Sequence, residues 1–333
     1  MAEFNAPRRG SKSFYPRVRA AKQTPSMKGY GSENKPLNFL CYKVGMTQVV
    51  GKNVHKASPS FNQEVVVPVT VVECAPMKVF GVRAYTKAEI GFAVLSDVLA
   101  ETHDSKLERK ISNFKRKTSK KENKENKENK KDVYTLEDFE KELNDIEYFT
   151  LLVHTQASFK KTPDVTELFI GGTKEQQLNF AKEKLGKEVT ISDVFNEGDY
   201  LDVKAVTKGK GIQGPVKRFH VRKLRPKAKK QRIVGSIGPW NPSTVMWMVA
   251  RPGQMGYHNR TESNKRILKI SSNVSEINSK AGFNKFGMVE GQYALIFGSV
   301  PGSIKRCIAL RKSIRPEQQK GVQLEKVDKI LKK

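Results

Sequence analysis

Gly209-x-Gly211-x-x-Gly214 has the form of a dinucleotide-binding fingerprint. In that motif the glycines bring the backbone against a pyrophosphate at a helix N-terminus. The chemistry also needs an apolar helix next, and an acidic residue about 20 positions later to hold a ribose. Here Pro215 follows at once, and the next acid is Glu262, 48 residues after Gly214. The cofactor reading therefore fails. The glycines are read instead as sharp turns that let the backbone approach an anion. The five histidines (His55, His103, His154, His220 and His258) show no ligand spacing to each other or to cysteine. Cys41, Cys74 and Cys307 are odd in number and far apart, which is no disulfide framework and no zinc site. They are expected to be small buried thiols in a reducing compartment. No nucleophile elbow and no Walker phosphate loop is present. No enzyme, no cofactor and no protein-bound metal is expected.

What remains as chemistry is positive charge. The 333 residues carry a net charge of +28, with 62 Lys and Arg against 34 Asp and Glu. So large an excess repels itself in a compact state, which points to a polyanionic partner. The excess is concentrated. Residues 204–261 contain no acid and 14 Lys and Arg, and residues 1–35 hold a further eight against Glu3 and Glu33. Both segments are rich in Gly and Pro and lack the periodicity of packed elements. They read as an extended N-terminal tail, 1–36, and an internal basic loop, 207–261. Phe219, Trp240, Trp247 and Tyr257 interleave with the cations and offer faces for unstacked bases. No apolar run reaches the ~18 residues that span a bilayer, so no integral membrane protein is expected, and charge held on two non-periodic arms does not suit an anionic membrane surface, so no membrane partner is expected. No signal peptide is expected, and Pro7, Pro16 and Pro25 argue against an amphipathic transit helix.

The elements that must hold these arms read as a β-rich, α+β body over 37–206 and 262–313. Strand patterns lie at Leu40–Val50, Glu64–Val72, Val79–Tyr85, Tyr148–Thr155, Tyr200–Val206, Gln292–Phe297 and Arg306–Leu310. A helical insertion is expected over about 94–190, including a low-complexity Lys-Glu-Asn stretch at 115–131. Its helices are Thr135–Ile146 and Thr173–Leu185, with Thr135/Asp138 and Thr173/Gln176 at capping-box spacing. In the C-terminal tail, 314–333, Leu324, Val327 and Leu331 suggest a short amphipathic helix.

Several runs carry a resemblance. Phe4-Asn5-Ala6-Pro7-Arg8-Arg9-Gly10, Tyr42-Lys43-Val44-Gly45-Met46-Thr47 and Leu152-Val153-His154-Thr155-Gln156 are three of them. Val206-Thr207-Lys208-Gly209-Lys210-Gly211 and Gly235-Ser236-Ile237-Gly238-Pro239-Trp240-Asn241-Pro242 follow. Ala250–Thr261, Val300-Pro301-Gly302 and Leu310-Arg311-Lys312-Ser313 complete the set in order. Together they resemble the universal large-subunit ribosomal protein L-three family, archaeal and eukaryotic type, with the length of the archaeal forms. Asn241 and Ala228 stand where eukaryotic-type members usually have His, so no imidazole role is carried over there.

The resemblance implies a β-barrel body of translation-protein type, with a basic tail and extension reaching into rRNA. It implies a structural role in the cytoplasmic ribosome, support of early subunit assembly, and Mg2+ only through the rRNA. Its partners would be large-subunit rRNA and neighbouring ribosomal proteins, with no small-molecule substrate. The rRNA-binding candidates are Arg8, Arg9, Arg17, Arg19, Lys208, Lys210, Lys217, Arg218, His220, Arg222, Lys223, Arg225, Lys227, Lys229, Lys230, Arg232, Trp240, Arg251, Gln254, Tyr257, His258 and Arg260. Gly238, Pro239, Trp240, Asn241 and Pro242 would form a loop tip near the peptidyl transferase centre. A DNA-compacting basic protein is the alternative on charge alone, although no helix-turn-helix, basic zipper or zinc finger is visible.

Overall fold

The computed structural model describes residues 7–102, 104–112, 134–227, 229–316, 322–324 and 326–331. The chain divides into two compact units. The body is Thr24–Ala205 with Thr261–Lys333, and the second unit is Met1–Gln23 with Val206–Arg260. The first half of the chain forms β1 (Asn38–Lys52), β2 (Glu64–Glu73), β3 (Met77–Lys87), β4 (Phe92–Leu99), α1 (Ser105–Glu108) and α2 (Leu136–Lys141). Then come β5 (Ile146–Thr155), β6 (Val165–Phe169), α3 (Lys174–Lys184), β7 (Glu188–Val189) and β8 (Tyr200–Val206). The second unit adds β9 (Ile212–Gln213), α4 (Pro215–Phe219) and β10 (Gly253–Gln254). The chain ends with β11 (Asn259–Ser271), β12 (Tyr293–Phe297), β13 (Cys307–Lys312) and β14 (Lys329–Leu331).

One sheet of the body runs β13-β8-β11-β12-β2-β1-β14, and β13 also pairs with β1. That last pairing joins six strands into a ring. The sequence explains the arrangement. β1 opens with five consecutive buried residues, Asn38–Tyr42, because it is covered on both faces. Val69, Val71 and Leu295 are fully buried, and β12 lies beside β2 with Leu295 opposite Val71. Cys41, Cys74 and Cys307 are free and buried, and burial pushes the Cys41 and Cys307 thiols up, out of reach of ordinary thiolate chemistry.

The second sheet runs β4-β3-β5-β6, with β7 pairing to β3. The span 94–190, expected as a helical insertion, holds the helices α1, α2 and α3 together with the end of β4 and the strands β5, β6 and β7. Of the two expected helices, α2 is shorter than its expected span and α3 fills its span between the caps Thr173 and Leu185. Thr135 and Asp138 form a capping box at α2, and Thr173 and Gln176 form one at α3. Gln177 on α3 accepts the Phe149 backbone N–H at 2.9 Å, tying the helix to β5. Arg83 bridges the sheet, bonding both Asp97 oxygens at 2.6 and 2.7 Å and Glu167 at 2.7 Å.

The amphipathic helix expected near the C-terminus is also corrected. Leu324 is buried and bridges to Asn53, and Lys329–Leu331 pair with Gln48–Val50 of β1. The tail covers the open edge of β1 instead of coiling, which removes a row of unpaired backbone groups. The Lys-Glu-Asn stretch lies outside the described residues.

Glu73 makes the body's stability pH-dependent. It is 3% exposed, and its Oε2 has no hydrogen-bond partner. Burial first, and Glu290 second, push its carboxyl up to about 7. The unfolded chain loses that proton near the ordinary Glu value of about 4.3. Between these limits the folded state holds a proton that the unfolded state has released, so stability falls as pH rises through the window. Glu73→Gln should therefore stabilise the protein by about 1–3 kcal/mol at pH 8 and little at pH 4. Urea unfolding of both proteins across that range checks this. An equal difference at both ends would contradict it.

Candidate nucleic-acid interface

The internal basic segment is a hairpin stem before it is a loop. Thr207 N–H donates to His258 O at 2.9 Å, Lys210 N–H to Met255 O at 3.0 Å, and Met255 N–H to Gly211 O at 2.9 Å. β9 then pairs antiparallel with β10. Gly256 sits at φ +72, and a Cβ there would lie 2.0 Å from Lys208 O. Only glycine allows that approach. The glycines around 209–211 thus belong to a stem of paired backbones. Pro215 occupies the first turn of α4, where its missing N–H costs nothing, and His220 ends the helix in the left-handed region.

The N-terminal tail is not a separate arm. Ala20 N–H donates to Tyr257 O at 2.8 Å, and Arg8 donates to Met248 O at 2.8 Å. His258 Nδ1 bonds Val18 O at 2.8 Å, while its Nε2 accepts the Gly256 N–H at 3.1 Å. Both ring nitrogens are thereby used inside the unit. His258 is a buried pin and not an exposed RNA contact, which corrects its assignment. Tyr15 meets Trp247 edge-on at 4.7 Å. The expected tail over 1–36 also divides, because the chain from Thr24 onward belongs to the body.

Arginine–aromatic stacking holds this unit together. The Arg17 guanidinium lies 4.5 Å from the Phe219 ring and 5.0 Å from Tyr15, and Arg218 lies 5.0 Å from Phe219. Arg260 covers Phe14 at 4.4 Å. Such contacts stabilise by about 0.5–2 kcal/mol each. Backbone carbonyls complete the coordination. Arg218 donates to Gln254 O and Arg251 O, both at 3.0 Å, Arg17 to Ser11 O at 3.3 Å, and Arg260 to Asn259 O at 3.0 Å. Burial, and then the neighbouring Arg17, push the Arg218 and Arg260 guanidiniums down, yet both keep their charge.

The charge is unbalanced. Residues 7–23 and 206–260 contain nineteen Lys and Arg and no Asp or Glu. Arg8, Arg9, Arg19, Lys208, Lys210, Lys217, His220, Arg222, Lys223, Arg225, Lys227, Lys229, Lys230, Arg232 and Arg251 are exposed. Arg17, Arg218, Gln254, Tyr257 and Arg260 are half-buried and fix the unit internally. The aromatic residues also separate. Phe219 is buried between guanidiniums, and Trp247 packs on Tyr15. Trp240 is 92% exposed, and Gly238, Pro239, Asn241 and Pro242 around it are exposed too. Phe14 and Tyr15 are not among the candidates read from the sequence. The signal was present in the run Phe14-Tyr15-Pro16-Arg17, where aromatic residues stand beside an arginine. Among the described residues no cluster of His, Cys, Asp and Glu could hold a metal.

The sequence model of ribosomal protein L3 matches residues 1–332. The chain belongs to the ribosomal protein L3 family. It is 44% identical to the large ribosomal subunit protein uL3 of Methanosphaera stadtmanae over 329 residues, covering 95% of this chain and 94% of that protein. The uL3 of Methanobrevibacter smithii is 45% identical, covering 96% and 95%, and that of Archaeoglobus fulgidus 43%, covering 94% and 93%. The chain is therefore a structural ribosomal protein of the large subunit, working in translation, and not an enzyme.

Phe219 is where the N-terminal segment and the internal basic segment meet. Phe219→Ala should release the tail by removing the ring under Arg17 and Arg218, at a cost of about 3–5 kcal/mol to the unit. Limited trypsin digestion checks this, since cleavage after Arg17 and Arg19 should become several-fold faster. Unchanged cleavage would refute the role of the ring.

Proposed function

We propose that the unit of tail and extension binds large-subunit rRNA, and that this binding supports early assembly of the subunit. The observation that carries the reading is nineteen cations on one folded unit with no carboxylate among its described residues. Such a surface neutralises phosphates and releases counterions. The exposed Trp240 supplies a flat apolar face on which an unstacked base can lie. In this reading the loop tip Gly238–Pro242 approaches the peptidyl transferase centre, and Trp240 is its apical contact. The closed ring of six strands is a barrel of the translation-protein type and lies on the solvent side of the cytoplasmic subunit. Mg2+ enters only with the rRNA, and neighbouring ribosomal proteins are the other partners. Membership of the family supports each of these statements over the alternative of DNA compaction.

Deleting residues 208–258 should leave a folded body that no longer cosediments with the large subunit. Normal incorporation of the deletion would refute the reading. Trp240→Ala should assemble but slow peptidyl transfer or tRNA accommodation several-fold in single-turnover kinetics. Elongation at the unaltered rate would count against the position assigned to the tip.

A further inference from the structure

We propose that the free edge of β4 receives an extended segment, rich in lysine and arginine, of another protein of the large subunit. The segment adds a strand to the second sheet and lays its apolar side chains on Phe92 and Val94. The inference rests on the reading above that neighbouring ribosomal proteins are partners, and it assigns the surface and the chemistry of the segment that meets it.

Three observations lead there. First, β4 is an edge strand and is left uncovered. Among the described residues it pairs with β3 alone. The opposite edge of the same sheet, β6, is closed. Leu37 N–H donates to Phe169 O at 2.8 Å, and the Asn38 amide donates to Glu167 O at 3.0 Å and accepts the Phe169 N–H at 2.8 Å. In the other sheet β14 closes the edge of β1. β4 has neither Lys nor Pro, the residues that commonly blunt a free edge. The turn before it fixes which backbone groups are free. Ala88 N–H donates to Gly91 O at 3.1 Å, and the bonds of an antiparallel ladder alternate. The pairs Lys87–Phe92 and Tyr85–Val94 therefore turn their backbone groups away from each other. Phe92 and Val94 offer N–H and C=O to a new strand.

Second, the outer face of this sheet is apolar and open. Phe92 and Val94 are 51% and 47% exposed, and Ile90 in the turn is 96% exposed. Phe92 meets Tyr148 edge-on at 5.1 Å, and Tyr148 stacks on Tyr85 at 4.7 Å, so the apolar strip continues over β5 and β3. The opposite face sends Val82, Ala84, Phe149 and Leu151 into the core. An exposed apolar strip beside an unpaired edge suits strand addition, which uses both at once. Third, the charge has the wrong sign for RNA. Residues 88–102 carry Glu89, Asp97 and Glu101 and no Lys or Arg, within a chain of net charge +28. Arg83 takes Asp97, while Glu89 and Glu101 are exposed just beyond the two ends of the strand, with Lys87 the nearest cation along the chain. Phosphates are repelled there and a basic segment is attracted.

The test uses large subunits isolated with the full chain in place. Deuterium exchange is followed at β4 in the subunit and in the free protein, and a carbodiimide joins exposed carboxylates to any lysine in contact with them. Exchange across Phe92–Val94 should slow at least about tenfold in the subunit, as for amides that gain a partner. Glu89 or Glu101 should couple to a lysine of another protein, within a segment rich in Lys and Arg. Val94→Pro removes an outward N–H and leaves the pairing with β3, so it should cut that coupling several-fold while the variant still enters the subunit. Val94→Lys sets a charge on the apolar strip with the backbone intact, and it should do the same where Val94→Pro does not fold. Unslowed exchange at β4, or coupling unchanged in the variants, would overturn the proposal. So would slowed exchange without coupling to another protein, as contact with rRNA would give, and coupling to residues 113–133 of the same chain. The functional reading fails separately, if the deletion of 208–258 still enters the subunit. Exchange and coupling at β4 decide the edge whichever way that falls.

Discussion

Like charge repels, and the second unit of this protein is built around that constraint. Its described residues hold nineteen cations and no acid, so no internal ion pair can offset them. The fold uses the two remaining kinds of partner for a guanidinium, backbone carbonyls and aromatic faces. Phe14, Tyr15 and Phe219 take the planes of Arg260, Arg17 and Arg218, and carbonyls take the forks. Neither partner neutralises charge. The unit is therefore ordered while its full positive potential is retained for an external anion. A unit stabilised by carboxylates would be more self-sufficient and would bind phosphate less well.

The body obeys the opposite rule. Two of its half-buried arginines sit in ion pairs that cross strands, Arg83 with Asp97 and Glu167, and Arg311 with Asp202. Its stability comes from apolar strands buried on both faces and from closure of the β1–β13 pairing. Even the C-terminal strand contributes, with Leu324 in the core and Lys329–Leu331 along β1. The two units thus divide the chemistry of arginine. One uses it to join strands, the other to present charge.

This division was legible in the sequence, because acid-free stretches are visible without any structure. So were the strands that alternate or run apolar, such as Tyr200–Val206, and both capping boxes. Other elements gave no signal. β6 is five residues with Glu167 near its centre, and that glutamate is consumed by Arg83 and Tyr85 across the sheet. β11 is almost wholly polar, and its neighbours rather than its own residues make it a strand. Leu324, Val327 and Leu331 have a spacing that fits a helix, but the open edge of β1 decides the outcome. The docking of the tail was invisible for a different reason. Arginine on an aromatic ring and histidine on a carbonyl have no period along the chain, so they leave no pattern to read.

The fate of the aromatic residues narrows the kind of partner. Phe219 is buried against guanidiniums and Tyr15 is half-buried, so these rings are spent on folding, whereas Trp247 meets Tyr15 edge-on and is still 62% exposed. Ile233, Ile237, Trp240 and Met246 remain exposed within the same acid-free stretch, Trp240 almost completely. Exposed apolar side chains of this size are costly in water and mark a contact surface. A partner that matches them must present flat apolar faces and dense negative charge within a few ångströms of each other. An acidic protein surface supplies the charge but few such faces, and duplex DNA keeps its base faces stacked. Folded RNA supplies both at once, where loops and bulges splay bases out beside their own phosphates.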